Sequence, residues 1–177
     1  MDLYPAIDLR GGQVVQLTQG DFDRERIHGD DPVAVAKAFV AAGARWIHTV
    51  EDVGIVLGQA LQQALGEKRG VRRFANALVP LDEALVQVAL DLSGRPFLVY
   101  DVEPVAEWIG TFDPQLAEEF WKGFVDGARV TLHLRSLSGK NGHHVIEASF
   151  KGVARALRDA VRVEGGDVPS TKGTLSG

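Results

Sequence analysis

The chain has 177 residues, 45% of them apolar and 24% charged, which suits one ordinary domain or two small units and excludes a disordered chain. A net charge of −5 excludes nucleic-acid binding through a general electrostatic field, and the absence of cysteine excludes disulfides, thiolate zinc sites and a cysteine nucleophile. No apolar run nears the roughly 20 residues that span a bilayer, and the opening Met1–Pro5 lacks the basic and apolar regions of a signal peptide. A cytoplasmic chain with no membrane or nucleic-acid partner is expected.

Residues Leu3–Ile7 are apolar and run into Asp8 and Gly11-Gly12, as a buried strand entering a turn does. Gln13–Leu17 reads as a second strand, and the polar stretch Asp21–Asp30 as a loop. Asp31-Pro32 is an N-cap followed by proline at the first helical position, and the helix it opens ends near Gly43. Ala44–His48 reads as another strand, giving a βαβ unit.

From His48 the pattern changes. Val53, Val56, Leu57, Ala60, Leu61 and Ala64 recur at helical spacing before Gly66. Leu85–Val99 reads as strands joined at Ser93–Pro96, although Leu81–Leu92 also fits a helix. A helix is expected over Pro114–Ala128 and a strand over Arg129–Leu137, where Val130, Leu132 and Leu134 alternate with Thr131, His133 and Arg135. Asn141–Val161 is a second strong helix, and Pro169–Gly177 a turn-rich tail.

Two helices share an echo. His48-Thr-Val-Glu51 and His144-Val-Ile-Glu147 are each followed, ten residues after the Glu, by Leu61 or Leu157, each preceded by Ala. Residues i and i+3 share a helix face, so each His–Glu pair can aim at one point, and His143 adds an i, i+4 partner for Glu147. Imidazole with carboxylate suits a borderline divalent ion such as Mn²⁺, Fe²⁺, Co²⁺ or Zn²⁺. His133, on the preceding strand, is a further candidate. One such pair alone is usually a solvated surface contact. The second copy and the adjacent His143 bring the metal reading level with it.

These residues also carry a family resemblance. HTVEDVGIVLG at residues 48–58 and NGHHVIEASFK at 141–151 resemble the two metal motifs of imidazoleglycerol-phosphate dehydratase. GVRRF at 70–74, DLSGRP at 91–96, TLHL at 131–134 and PSTKG at 169–173 are similar to further motifs of that family. The resemblance covers residues 48–177. It implies an α+β fold, a dehydratase-type half-domain sheet with helices on one face. It implies Mn²⁺ held by His48, Glu51, His133, His143, His144 and Glu147, with the metal sites built between subunits of a homo-oligomer. It further implies a phosphorylated imidazole diol as substrate, its phosphate met by Arg73, Arg95, Lys151, Ser170 and Lys172. The reaction implied is dehydration to imidazole acetol phosphate, a step of histidine biosynthesis.

Residues 1–47 resemble a different family. LYPAIDLRGGQVVQL at 3–17, GDF at 20–22, DDP at 30–32 and GARWIH at 43–48 are similar to the opening of phosphoribosylformimino-ribotide isomerase, a TIM barrel. In that family Asp8 corresponds to a catalytic acid or base. A (β/α)₈ barrel needs about 250 residues, so no isomerase activity is expected from this short βαβ segment. The resemblance to the dehydratase also implies that Ile47 stands where the family has a first histidine. It implies a further ligand from an Asp-His-Met run that residues 1–47 do not carry, so each of the two metal sites lacks one ligand, and weak metal binding with low or absent turnover is expected. Three readings follow: an impaired dehydratase, a catalytically inactive fusion product, and an isomerase fragment.

Overall fold

The computed structural model describes residues 7–10, 13–18, 21–43, 50–103, 108–173 and 175, with only the backbone described at 8–10, 16–18 and 21–25. The chain divides into two compact units, residues 1–52 and 53–177.

In the first unit β1 (Asp8–Arg10), β2 (Gln13–Thr18) and β3 (Asp21–Gly29) form an antiparallel sheet in chain order. The expected loop over Asp21–Asp30 is therefore a strand. Its polar residues conceal it from a hydrophobicity reading, because a strand at a sheet edge needs backbone pairing more than apolar side chains. Helix α1 (Pro32–Ala41) starts where the sequence places it, with the Asp31 carboxylate accepting from the backbone N–H of Val33 and Ala34. The returning strand expected at 44–48 lies outside the described residues.

Helix α2 (Val50–Leu65) leads into the second unit and stops at Gly66, whose φ of 51° only glycine adopts without strain. Then come β4 (Phe74–Leu81), β5 (Ala84–Asp91), β6 (Phe97–Asp101), α3 (Gln115–Ala128), β7 (Thr131–Ser138) and α4 (Gly142–Ala160). The strand order is β4-β5-β7-β6; β7 runs antiparallel to β5 and parallel to β6. Leu81–Leu92 is thus not a helix: Asp82-Glu83, with Asp82 at φ 49°, turns the β4–β5 hairpin, and Ala84–Asp91 is its second strand. The observed mixture of helices and sheet is the expected α+β class.

Alternation fixes the two faces of this sheet. Val86, Val88, Leu90, Leu132 and Leu134 are buried and join Trp121, Phe124 and Val125 of α3 and Val145, Ala148 and Val153 of α4 in one core. The intervening Gln87, Ala89, His133 and Arg135 point to the opposite face. Helix α4 buries the stripe Val145, Ala148, Ser149, Gly152, Val153, Ala156 and Ala160 and leaves His143, Glu147 and Lys151 on its other side. Helices α2 and α3 approach through glycines: a Cβ on Gly54 would sit 2.2 Å from the Phe120 carbonyl oxygen, and one on Gly127 2.3 Å from that of Ile55.

Candidate active site

The first turn of α4 holds the densest group of expected ligands. Asn141 caps the helix, its side-chain oxygen accepting from the His143 backbone N–H at 3.0 Å. His143 and Glu147, one turn apart, meet with Nε2 and Oε2 3.0 Å apart. Lys151, a further turn on, reaches Oε1 of the same carboxylate at 2.7 Å. The hydrogen bond and charge of Lys151, with a smaller contribution from His143, hold the Glu147 carboxyl below its ordinary range.

His144 does not share that point. It turns to the β4–β5 hairpin, where Nδ1 lies 2.9 Å from Oε2 of Glu83. The other Glu83 oxygen accepts from the backbone N–H of Lys140 at 3.1 Å and of Asn141 at 2.8 Å. The bond from His144, then those from Asn141 and Lys140, draw the Glu83 carboxyl down to about 2. So the i, i+4 pair forms while the i, i+3 pair separates, because neighbouring histidines leave the helix about 100° apart.

His48 lies outside the described residues. Glu51 is exposed in the first turn of α2. His133 stands on the sheet face away from α4, in a shallow depression of about 280 Å³ with Gln87, Ala89 and Arg135. Among the described residues, no three His, Asp or Glu side chains converge as a complete metal site. The donor chemistry nevertheless suits a divalent ion: His143 and Glu147 pair imidazole with carboxylate on one side of α4, and these residues would hold a borderline cation that supplies Lewis acidity.

Of the cationic set, Arg73 is the most firmly placed. Nε and Nη2 grip Asp91 at 2.7 and 3.2 Å, while Nη1 donates to the Pro169 carbonyl at 2.7 Å, next to Ser170 in the tail. The Ser170 hydroxyl accepts from the Lys172 backbone N–H at 3.2 Å, so both tail residues share one turn. Arg95 is exposed in the loop after β5, where its backbone N–H donates to Ser93 Oγ at 3.1 Å. A larger cavity of about 340 Å³ beside Lys68 and Arg129 contains none of the candidate ligands or cations. Sequence reasoning missed Glu83 and Asp91. The signal for Glu83 was present in Leu81-Asp82-Glu83-Ala84, a turn dipeptide between two apolar runs.

Residues 40–157 match the family model described as imidazoleglycerol-phosphate dehydratase. The chain belongs to that family. The enzyme of Acidothermus cellulolyticus is 57% identical over 129 residues, covering 72% of this chain and 63% of the relative. That of Albidiferax ferrireducens is 59% identical over 131 residues, covering 72% and 64%. The chain thus spans a little under two thirds of the length of these dehydratases. Two crystal structures of dehydratases share the fold. That of Staphylococcus aureus has a TM-score of 0.64 at 42% identity, covering 66% of this chain and 67% of its own. That of Pyrococcus furiosus, in complex with (S)-C348, has a TM-score of 0.65 at 45% identity, covering 72% and 70%. Residues 2–66 match a second model, described as histidine biosynthesis protein, so residues 40–66 fall under both.

Proposed function

We propose that this chain catalyses the metal-dependent dehydration of imidazole glycerol phosphate to imidazole acetol phosphate, in the cytoplasm, as a step of histidine biosynthesis. The observation that carries the reading is the His143–Glu147 donor pair at 3.0 Å, in the first turn of α4, in a chain of the dehydratase family. His48, Glu51, His133, His143, His144 and Glu147 are the proposed ligands and Mn²⁺ the proposed ion. When bound, such an ion supplies Lewis acidity toward the substrate imidazole. The chain's own residues bind and orient. Arg73, held by Asp91 against the tail, offers a pre-set guanidinium for phosphate, and Arg95, Lys151, Ser170 and Lys172 add charge and a hydroxyl.

The placement of His133 supports assembly into a homo-oligomer. It lies on the face opposite α4, so its donors and those of His143 and Glu147 meet only between copies. Phe74, Leu78, Phe97 and Leu137 are more than half exposed, as a face that packs against another copy requires. Residues 1–47 form the proposed isomerase-like segment and 48–177 the dehydratase-like domain. Ile47 offers no donor where a first histidine belongs, so the proposed activity is far below that of an intact relative.

The test is one sample assayed twice: manganese per chain by elemental analysis, and ketone formation from imidazole glycerol phosphate. Manganese-dependent turnover that is slow and needs millimolar metal supports the reading. Bound manganese without any ketone supports the catalytically inactive fusion product instead. Turnover equal to that of an intact dehydratase overturns the expected impairment.

A further inference from the structure

The surroundings of His144 decide which of its ring nitrogens carries the proton. Asn141 is the starting point. Its side-chain oxygen is committed to the His143 backbone N–H at 3.0 Å, so its amide nitrogen is the atom that faces His144 Nε2, at 3.3 Å. An amide N–H₂ only donates, so Nε2 must accept. The proton of the neutral ring then sits on Nδ1, where Glu83 Oε2 stands ready to accept it at 2.9 Å. Asp82 Oδ2, 3.8 Å from Nε2, is too far for a hydrogen bond that would reverse this order. Glu83 itself has little freedom. Its Oε1 takes two backbone N–H bonds from Lys140 and Asn141, and its own carbonyl accepts from Ser138 Oγ at 3.1 Å. The hairpin tip, the β7–α4 connection and the helix cap are thereby tied together around one imidazole.

We propose that Glu83 is a positioning residue that fixes the His144 ring in its Nδ1–H tautomer, so that the Nε2 lone pair is the one offered to a metal. The use of that lone pair rests on the reading of His144 as a ligand. The tautomer does not. Histidines that bind metals characteristically donate their other ring N–H to a carboxylate, which sets ring orientation and raises basicity. Here the carboxylate comes from a hairpin distant in sequence, 61 residues away, and is not among the residues the family resemblance marks.

The decisive variant is Glu83→Gln. The two backbone N–H groups require an oxygen, so the Gln carbonyl takes the place of Oε1 and its N–H₂ faces Nδ1. With that N–H₂ against it Nδ1 can no longer donate, and the proton moves to Nε2 at the expense of the longer 3.3 Å contact from Asn141, blocking the proposed ligating atom while the cap is retained. Long-range ¹H–¹⁵N spectra of the full, metal-free chain in mildly alkaline buffer report the tautomer, with His144→Gln assigning the signals. Manganese affinity is read in parallel from free Mn²⁺ by electron paramagnetic resonance. The expected result is Nδ1–H in the parent chain and loss of that state in Glu83→Gln. Affinity falls by about 10–100-fold, with an unchanged circular dichroism spectrum. An Nε2–H signal in the parent chain overturns the proposal, as does an unchanged tautomer in Glu83→Gln. An unchanged affinity in a variant whose tautomer has switched overturns the positioning role. If the parent chain shows Nδ1–H and binds no manganese, the dehydratase reading fails while the Glu83–His144 geometry stands.

Discussion

Replacing Gly54 by alanine tests the closest approach in the second unit. The added Cβ would lie 2.2 Å from the Phe120 carbonyl oxygen, 2.9 Å from the Phe124 nitrogen and 3.2 Å from the Phe120 carbonyl carbon. A carbon and a carbonyl oxygen settle near 3.3 Å at their closest, so α2 and α3 must part by about 1 Å. All three obstacles are backbone, and no side chain can swing aside. Overpacking of this kind costs about 1–3 kcal/mol, and rigid obstacles place it at the upper end, about 3 kcal/mol. The intrinsic helix preference of alanine over glycine offsets about 1 kcal/mol. The net is a destabilisation of about 2 kcal/mol, or about 4–8 °C in Tm for a chain of this size. Thermal unfolding followed by circular dichroism reads it directly. Gln63→Ala, on the exposed side of the same helix, serves as the control and should shift Tm by less than about 2 °C. A Gly54→Ala chain that melts at or above the parent temperature would refute the close crossing.

Three further outcomes follow. Arg73→Lys keeps one charge but loses the two-pronged grip on Asp91 and the bond to Pro169, in a pair whose side chains are only 13% and 19% exposed. It should cost about 1–2 kcal/mol by urea midpoint, and an unchanged midpoint would show the tail is held otherwise. Burial pushes the Tyr100 hydroxyl up to about 12 from an ordinary value near 10, with Glu118 adding to the shift. Because the folded value is raised, this contribution is complete below pH 10 and is lost between pH 10 and 12. Tyr100→Phe should therefore unfold less steeply than the parent across that window, and parallel curves contradict it. Trp121 is buried, and its indole N–H has no hydrogen-bond partner among the described residues. Trp121→Phe removes an uncompensated donor as well as volume, and its stability should stay within about 1–2 kcal/mol of the parent; a loss near 4 kcal/mol would mean the N–H is bonded after all.

The sequence by itself determined the elements whose signals are local. Asp31-Pro32 starts α1 because a carboxylate cap and a preset φ need only their own neighbours. Gly66 ends α2 because only glycine takes its φ of 51° without strain. The 3.6-residue stripes of α3 and α4 and the two-residue alternation of β7 show which sides are buried. The ordered motifs likewise announced the family. Tertiary structure decided the rest. Within Leu81–Leu92, Ala84–Asp91 became a strand because β4 and β7 pair with it and the core takes Val86, Val88 and Leu90, while the dense apolar residues alone fit either period. Polar β3 became a strand through backbone pairing that hydrophobicity does not record. Which histidine joins Glu147 was also settled in three dimensions. Both spacings suit a helix, and the choice fell to His143 because Glu83, far away in sequence, holds the ring of His144.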